Sequence, residues 1–235
     1  MAIFKNYTQC VAGHTRRWHV CGDIDTLHDA IISQLSRCAN EAIAERGAFR
    51  IVLAGGRTPQ TLYRELPEIA TDWRSWFIYF GDERCLPRGD AARNDTMAQQ
   101  CWLDDVPIPP QQIFSIPAEN GAEQGAATYA QLLANVPVFD LVLLGLGEDG
   151  HTASLFPDFP TSNAMAYAVH EAPKPPPDRI TLSAARLSAA RDVFFLVSGN
   201  DKRTALLRLQ RGESIPAAEI IPHGGIDIYT DIEVN

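Results

Sequence analysis

The stretch FRIVLAGGRTP, residues 49–59, decides the fold class of this chain. Its first half is a short apolar run typical of a buried strand, and the glycine pair Gly55-Gly56 then marks a turn. Pro59 suits the first turn of a helix, whose apolar face continues at Leu62 and Leu66. A buried strand that leads through a turn directly into a helix is the unit from which parallel sheets are built.

The same order of elements repeats along the chain. Apolar runs predict further strands at residues 76–80, 139–144, 180–182, 193–197 and 226–229. Helical periodicity predicts helices at residues 25–46, 95–102, 122–134 and 201–211. We therefore predict an α/β fold with a mostly parallel, Rossmann-like sheet and helices on both faces. Two proline-rich stretches fall inside this alternation, so residues 1–235 are predicted to form a single domain.

Composition narrows the function classes. Hydrophobic residues make up 46% of the chain and charged residues 21%, which argues against a disordered, collagen-like or coiled-coil protein. The 29 acidic and 20 basic residues give a net charge of -9, which disfavours nucleic acid and anionic membranes as partners. An anionic ligand therefore needs a local cluster of bases.

The cysteines indicate neither a disulfide framework nor a metal site. There are 5 of them, with no Cys-x-x-Cys pair, and the spacing of Cys10, His14, His19 and Cys21 matches no standard zinc motif. We predict no metal. No stretch approaches the ~20 apolar residues of a membrane span, and the first residues lack the apolar core of a signal peptide. We expect a cytoplasmic protein, with the neighbouring Arg16 and Arg17 exposed.

Ligands of open parallel sheets bind beyond the carboxyl ends of the strands, so the loops at those ends are the candidate binding sites. In the glycine turn at Gly55 and Gly56, backbone amides and the forked donor of Arg57 suit an anion, and Thr58 can cap the following helix. A plain tight turn is an equally good interpretation. After the next strand come Asp82, Glu83 and Arg84, for which a salt-bridged surface loop is the alternative.

A third loop, GLGEDGHTASLFP at residues 145–157, also matches the dinucleotide pattern GxGxxG. The prolines that follow leave no room for the long helix such a site requires, so we interpret this match as fortuitous. What remains is a glycine-lined loop that presents Asp149 and His151 together. Histidine exchanges a proton near neutral pH, and a carboxylate can fix its tautomer. A purely structural histidine is the alternative.

Two further bases complete a candidate anion pocket. Arg179 follows the proline run, and Lys202 lies in the predicted first turn of the helix at residues 201–211. Together with Arg57 and Arg84, they can supply the local positive charge that the chain as a whole lacks. The sequence contains no serine-hydrolase elbow, P-loop, zincin or EF-hand motif.

Four motifs in order resemble those of the 6-phosphogluconolactonase family, a branch of the glucosamine/galactosamine-6-phosphate isomerases. They lie at residues 54–59, 81–84, 145–157 and 174–181, and so span nearly the whole chain. The chain departs from the family pattern at Ala54 and Arg57, where serine is common, and at Arg93, which precedes Asn94 where a serine is usual. The related deaminases carry a glutamate where this chain has Phe156, which favours a lactonase.

The resemblance implies hydrolysis of 6-phospho-D-glucono-1,5-lactone in the pentose phosphate pathway, without metal or cofactor. It implies that His151 acts as general base and then as general acid, while Asp149 orients the imidazole or binds a sugar hydroxyl. The oxyanion donor stays open between the amides of residues 147–150 and Arg84.

Other roles follow from the same resemblance. The substrate phosphate is assigned to the backbone amides of Gly56, Arg57 and Thr58 together with Arg179 and Lys202. Asp82 and Asn94 are assigned to sugar hydroxyls, and Gly55, Arg84 and Gly150 complete the expected substrate-binding residues. The expected partner is a small sugar-phosphate lactone, and the chain is expected to be a monomer or weak homodimer. A glucosamine-6-phosphate deaminase and a non-catalytic sugar-phosphate sensor are the alternatives.

Overall fold

The computed structural model describes residues 4–234. The strands are β1 (Phe4–Val11), β2 (His14–Cys21), β3 (Phe49–Leu53), β4 (Trp76–Phe80), β5 (Asp82–Arg84), β6 (Ile113–Phe114), β7 (Phe139–Leu144), β8 (Ala166–Val169), β9 (Arg179–Leu182), β10 (Ala190–Val197) and β11 (Ile226–Thr230). The α-helices are α1 (Ile24–Arg46), α2 (Arg57–Tyr63), α3 (Asn94–Ala98), α4 (Ala122–Leu133), α5 (Ala184–Ser188) and α6 (Arg203–Arg211).

Eight strands form the main sheet, in the order β1-β2-β11-β10-β7-β3-β4-β6. Every neighbouring pair is parallel except β1 and β2. From β3 the chain first builds outward through β4 and β6, then returns to place β7 on the other side of β3. The strand order therefore reverses between β3 and β7, and in parallel sheets such a reversal opens a crevice at the carboxyl ends.

Burial along the strands explains the layered arrangement. All six residues of β7 are buried, which requires cover on both faces of the sheet. The longest helix, α1, is capped at its N-terminus by Asp23, whose side chain accepts a hydrogen bond from the Thr26 amide, and at its C-terminus by Gly47 in the left-handed conformation. Its apolar face packs against β2, β3, β7 and β11. The predicted α/β fold with a mostly parallel sheet is confirmed.

The first strands depart from the sequence expectations. Residues 4–21 form an antiparallel hairpin that extends the sheet beyond β11, and no strand was predicted there. The expected exposure of Arg16 is wrong, because the side chain is buried and donates a hydrogen bond to the Leu209 carbonyl. Arg17 is partly exposed and forms an ion pair with Asp227 at 2.6 Å.

A second, antiparallel sheet corrects another expectation. Strand β9 does not join the parallel sheet but lies between β5 and β8. Residues 82–84, predicted as a loop, form β5 of this sheet. A short apolar run predicts burial but not the direction in which a strand pairs, and here the Leu182 amide donates to the Gly81 carbonyl at 2.8 Å, tying the two sheets together. Helix α4 packs against β8 and β9.

Two predicted helices differ in their detailed geometry. Helix α3 passes into a π-helical turn at Gln99–Leu103, and a 3-10 turn at Asn200–Lys202 precedes α6. Lys202 therefore stands immediately before the α-helix instead of within its first turn. In the part of the chain that the structure describes, no helix is both long and apolar enough to cross a membrane.

Candidate active site

A cleft of about 630 Å³ lies at the carboxyl ends of β3, β4, β7 and β10. The loops that leave these strands line it, together with the proline-rich segment at residues 174–175. Most of the predicted site residues lie along this cleft: Gly55, Gly56, Arg57, Thr58, Asp82, Arg84, His151, Arg179 and Lys202. Asn94, Asp149 and Gly150 are not among the residues that line it.

His151 and Asp149 form a close pair at the end of β7. The imidazole Nδ1 lies 2.5 Å from Asp149 Oδ1, and the backbone N–H of His151 donates to the same oxygen at 3.1 Å. This geometry places the ring proton on Nδ1 and turns Nε2 away, and Nε2 makes no hydrogen bond within residues 4–234. Burial lowers the pKa of His151, although Asp149 acts in the opposite direction. The imidazole is therefore neutral at pH 7.

The surroundings of the imidazole explain two residues of this loop. A Cβ atom on Gly147 would lie 2.0 Å from His151 Nδ1, so only glycine fits beneath the ring. The ring of Phe156 lies 4.7 Å from the imidazole, and the Arg179 guanidinium lies 5.6 Å from the Phe156 centroid on its face. No helix follows within residues 145–165, as predicted for a loop that is not a dinucleotide site.

A buried hydrogen-bond network fixes Asp82 at the cleft wall. Its carboxylate accepts from Ser154 Oγ at 2.6 Å and from Asn94 Nδ2 at 3.0 Å. Asn94 also donates to the Asp82 carbonyl, and its side chain occupies the space that a Cβ on Gly55 would need. Asn94 therefore joins the glycine turn to β5 from behind the cleft. The Ser154 contact was not predicted, because it links two loops that are far apart in sequence.

Two buried tyrosines hold the strand ends from which the site loops leave. The Tyr63 hydroxyl accepts from the Ala54 amide at 3.0 Å and donates to the Ala54 carbonyl at 2.9 Å. The Tyr129 hydroxyl accepts from the Phe80 amide at 3.1 Å. Both hydroxyls complete backbone pairing at the ends of β3 and β4, where the sheet ladder stops.

The helix after the glycine turn is capped differently from the prediction. Gly56 occupies the N-cap position with φ of 106°, and no side chain caps α2. The expectation that Thr58 caps this helix is wrong, because α2 already begins at Arg57 and Thr58 is its second residue. Thr58 nevertheless lines the cleft beside Arg57.

The cleft is locally basic in an acidic protein. Five basic side chains line it, against three acidic ones. The basic residues are Arg57, Arg84, Lys174, Arg179 and Lys202, and the acidic residues are Asp82, Glu148 and Asp201. The predicted cluster of four bases is thus brought together, and Lys174, which was not predicted, adds a fifth.

These cations differ in what they already bind. Lys202 Nζ lies 3.1 Å from Asp201 Oδ2 and 3.6 Å from Glu148 Oε1, and both carboxylates are exposed. Arg179 donates to the carbonyls of Lys174, Pro175 and Pro176, and its Nη1 lies 4.0 Å from Asp82 Oδ2. Much of the donor capacity of Arg179 thus goes to the proline segment.

Comparison with known proteins places the fold and motifs in a family. The family model described as glucosamine-6-phosphate isomerases/6-phosphogluconolactonase matches residues 22–228. The chain belongs to this family. A 6-phosphogluconolactonase from Streptomyces coelicolor is 40% identical over 205 residues, covering 78% of each protein. The resemblance predicted from the four motifs is confirmed.

Solved structures in this family share the fold. The crystal structure of 6-phosphogluconolactonase from Thermotoga maritima aligns with a TM-score of 0.85 at 23% identity, covering 91% of this chain and 98% of that one. A monomeric glucosamine-6-phosphate deaminase aligns with a TM-score of 0.80 at 19% identity, covering 91% of this chain and 96% of that one. Because both activities occur on this family fold, the side chains in the cleft must distinguish them.

Proposed function

We propose that this chain is a 6-phosphogluconolactonase, which hydrolyses 6-phospho-D-glucono-1,5-lactone to 6-phosphogluconate in the pentose phosphate pathway. The observation that carries the proposal is the His151–Asp149 pair, with Nε2 unengaged in a cleft lined by basic side chains. The sequence relatives named as 6-phosphogluconolactonases support the same reaction.

In the proposed mechanism His151 transfers one proton twice. Neutral Nε2 takes a proton from water as the water oxygen attacks the lactone carbonyl carbon. The tetrahedral intermediate then collapses, the bond to the ring oxygen breaks, and the imidazolium returns its proton to that oxygen. The product acid ionises in solution. Asp149 orients the ring and offsets the transient positive charge, since both donors of His151 converge on its Oδ1.

The charged side chains of the cleft bind the rest of the substrate. Arg57 beside the glycine turn and Lys202 opposite it bind the phosphate, which displaces the exposed carboxylates now paired with Lys202. Arg179 contributes its Nη1 to phosphate binding, while its Nε and Nη2 remain hydrogen-bonded to the proline segment. Asp82, fixed by Ser154 and Asn94, accepts a hydrogen bond from a sugar hydroxyl through its free lone pairs.

The two alternatives fit the cleft less well. A deaminase needs a second acid next to the histidine, and here the apolar ring of Phe156 packs against the imidazole instead. A non-catalytic sensor has no use for a histidine held in one tautomer with a free nitrogen. We also propose that the reaction needs no metal or organic cofactor.

We further propose that residues 1–235 act as one catalytic domain, monomeric or weakly dimeric, in the cytoplasm. One apolar cluster that extends from Trp18 to Val234 supports a single domain. Five free cysteines, two of them on or near the exposed surface, support a reducing compartment.

The test adds purified protein to freshly generated 6-phosphogluconolactone and measures acid release above spontaneous hydrolysis. His151→Ala should lower kcat roughly 100-fold or more without loss of folding. The matched control is His170→Ala, since His170 is an exposed histidine that pairs with Asp178 outside the cleft. Full activity in the folded His151 variant, or ammonia release from glucosamine 6-phosphate, would contradict the proposal.

A further inference from the structure

The turn that carries the His151–Asp149 pair is closed by hydrogen bonds of its own backbone. The Gly147 amide donates to the His151 carbonyl at 2.8 Å, and the Gly150 amide donates to the Gly147 carbonyl at 3.0 Å. The His151 amide donates to Asp149 Oδ1 at 3.1 Å. In the described part of the chain, no donor of this turn reaches the carbonyls of Asp149 and Gly150, so these two carbonyls need partners from another segment.

Those partners belong to residues 208–217. Arg208, which lies on α6, donates from Nη1 to the Asp149 carbonyl at 3.1 Å. The Ala217 amide donates to the Gly150 carbonyl at 3.1 Å. The segment therefore binds two successive carbonyls, and these are the last two before the imidazole-bearing residue.

Close packing accompanies the two hydrogen bonds. Gly150 has a φ of 93°, and a Cβ added there would lie 2.9 Å from Ile215 Cβ. Residues 208–217 thus approach the turn so closely that only glycine fits at position 150. Gly150 was predicted as a site residue, and this packing gives a physical reason for the glycine although it does not line the cleft.

The two peptide planes between Asp149 and His151 are consequently fixed at both ends. In the first plane the Gly150 amide donates within the turn, and the Asp149 carbonyl accepts from Arg208. In the second plane the His151 amide donates to Asp149 Oδ1, and the Gly150 carbonyl accepts from Ala217. Because these planes connect the carboxylate to the imidazole, their orientation determines where the pair lies.

The Arg208 side chain is itself oriented. Its Nε donates to Glu213 Oε2 at 3.1 Å, and the Glu213 amide donates to the Arg208 carbonyl at 3.0 Å. A guanidinium that donates to a carbonyl forms a charge-assisted hydrogen bond, roughly twice as strong as a neutral one. Since Lys202 stands immediately before α6, this helix adjoins the proposed phosphate ligand at one end and holds the Asp149 backbone near the other.

We propose that Arg208 is a positioning residue for the proposed lactonase reaction, and that its hydrogen bond to the Asp149 carbonyl holds the His151–Asp149 pair in its reactive geometry. Arg208 is not among the residues that line the cleft, so it acts through Asp149 and not on the substrate. Its loss should therefore slow the chemical step, because a small displacement of a general base lowers the rate. Substrate binding through Arg57 and Lys202 should be retained.

The kinetic test compares Arg208→Met with Arg208→Lys and with the control Arg211→Met. Arg211 lies on the same helix and also pairs with Glu213, but its side chain is 67% exposed, so the control removes an equal charge. Arg208→Met should lower kcat roughly tenfold and keep KM within about twofold of wild type. Lysine keeps a charged donor and should restore part of kcat. A folded Arg208→Met variant with unchanged kcat, an equal loss in Arg211→Met, or a loss confined to KM would overturn the proposal.

A spectroscopic test reports on the pair without substrate. Nitrogen-15 NMR distinguishes the protonated imidazole nitrogen from the unprotonated one, and the His151 signals are those that His151→Ala lacks. At about pH 8 the neutral wild-type ring should show two well-separated nitrogen shifts, with the proton on Nδ1. In Arg208→Met the two shifts should move towards each other as the ring exchanges between tautomers, whereas Arg211→Met should leave them unchanged.

The two tests separate this inference from the proposed function. An unchanged shift separation in Arg208→Met would overturn the positioning role even if kcat fell, because the loss of rate would not act through the pair. A wild-type protein that releases no acid from the lactone would refute the proposed function, while a narrowed separation in Arg208→Met would still support the positioning role.

Discussion

Replacement of Asp149 by asparagine tests the most specific geometric feature of the site. The substitution keeps the shape of the side chain but removes the charge that lies 2.5 Å from His151 Nδ1. An amide can also donate to Nδ1, which would move the ring proton to Nε2. The nitrogen that faces the cleft would then be unable to accept a proton from water.

The electrostatic part of the effect can be worked out from the structure. Two unit charges about 4 Å apart interact by about 4 kcal/mol at an effective dielectric of about 20. The Asp149 side chain is 36% exposed, so solvent screening reduces its stabilisation of the imidazolium to about 1 to 2 kcal/mol. That energy alone corresponds to roughly a tenfold loss in rate, and the wrong tautomer increases the loss to about 100-fold or more.

The assay is the pH dependence of kcat/KM for the lactone. In Asp149→Asn the acid limb should move to lower pH, because loss of a neighbouring anion disfavours the charged imidazolium and lowers its pKa further. The matched control is Asp178→Asn, which removes the carboxylate from the exposed His170 pair and should change neither rate nor profile. An Asp149 variant with near-normal kcat and an unshifted acid limb would refute the assigned role.

Three further outcomes are expected. Gly147→Ala should abolish most lactonase activity in a folded protein, because its Cβ would lie 2.0 Å from His151 Nδ1; an active variant would show that the ring can move aside. Arg93→Met should lower the free energy of unfolding in urea by about 3 to 5 kcal/mol, since its buried guanidinium pairs with the carboxylates of Glu83, Asp95 and Glu119, whereas the exposed Arg88→Met should cost under about 1 kcal/mol. Equal costs would refute this reasoning. Tyr63→Phe should cost about 1 to 3 kcal/mol in the same assay, because it leaves buried backbone groups unpaired, and no loss would argue that water replaces the hydroxyl.

The parallel core could be predicted from the sequence because its strands are continuous apolar runs. The observed bounds of Trp76–Phe80 and Phe139–Leu144 coincide with the predicted ones, and both strands lie inside the sheet, with a strand paired on each side. The first hairpin could not be predicted in this way. Its polar side chains become buried only through partners far along the chain, as Arg16 does through the carbonyl of Leu209.

The sequence predicted most residues of the candidate site but not the hydrogen bonds between them. Strand ends and glycine turns located His151 and the bases, because parallel strands bring their carboxyl ends to one edge. The sequence left two roles open for Asp149, and the convergence of two His151 donors on its Oδ1 favours the orienting role. The hydrogen bond from Ser154 to Asp82 joins two segments that are remote in sequence, so no local sequence pattern predicts it.

The Arg179 hydrogen bonds have a consequence for the timing of ligand capture. One guanidinium ties three successive carbonyls of a segment that prolines already stiffen, so this wall loses its conformational entropy when the chain folds and not when substrate arrives. Association should then proceed in a single kinetic phase, at a rate proportional to ligand concentration, with no slow ordering of the wall after encounter.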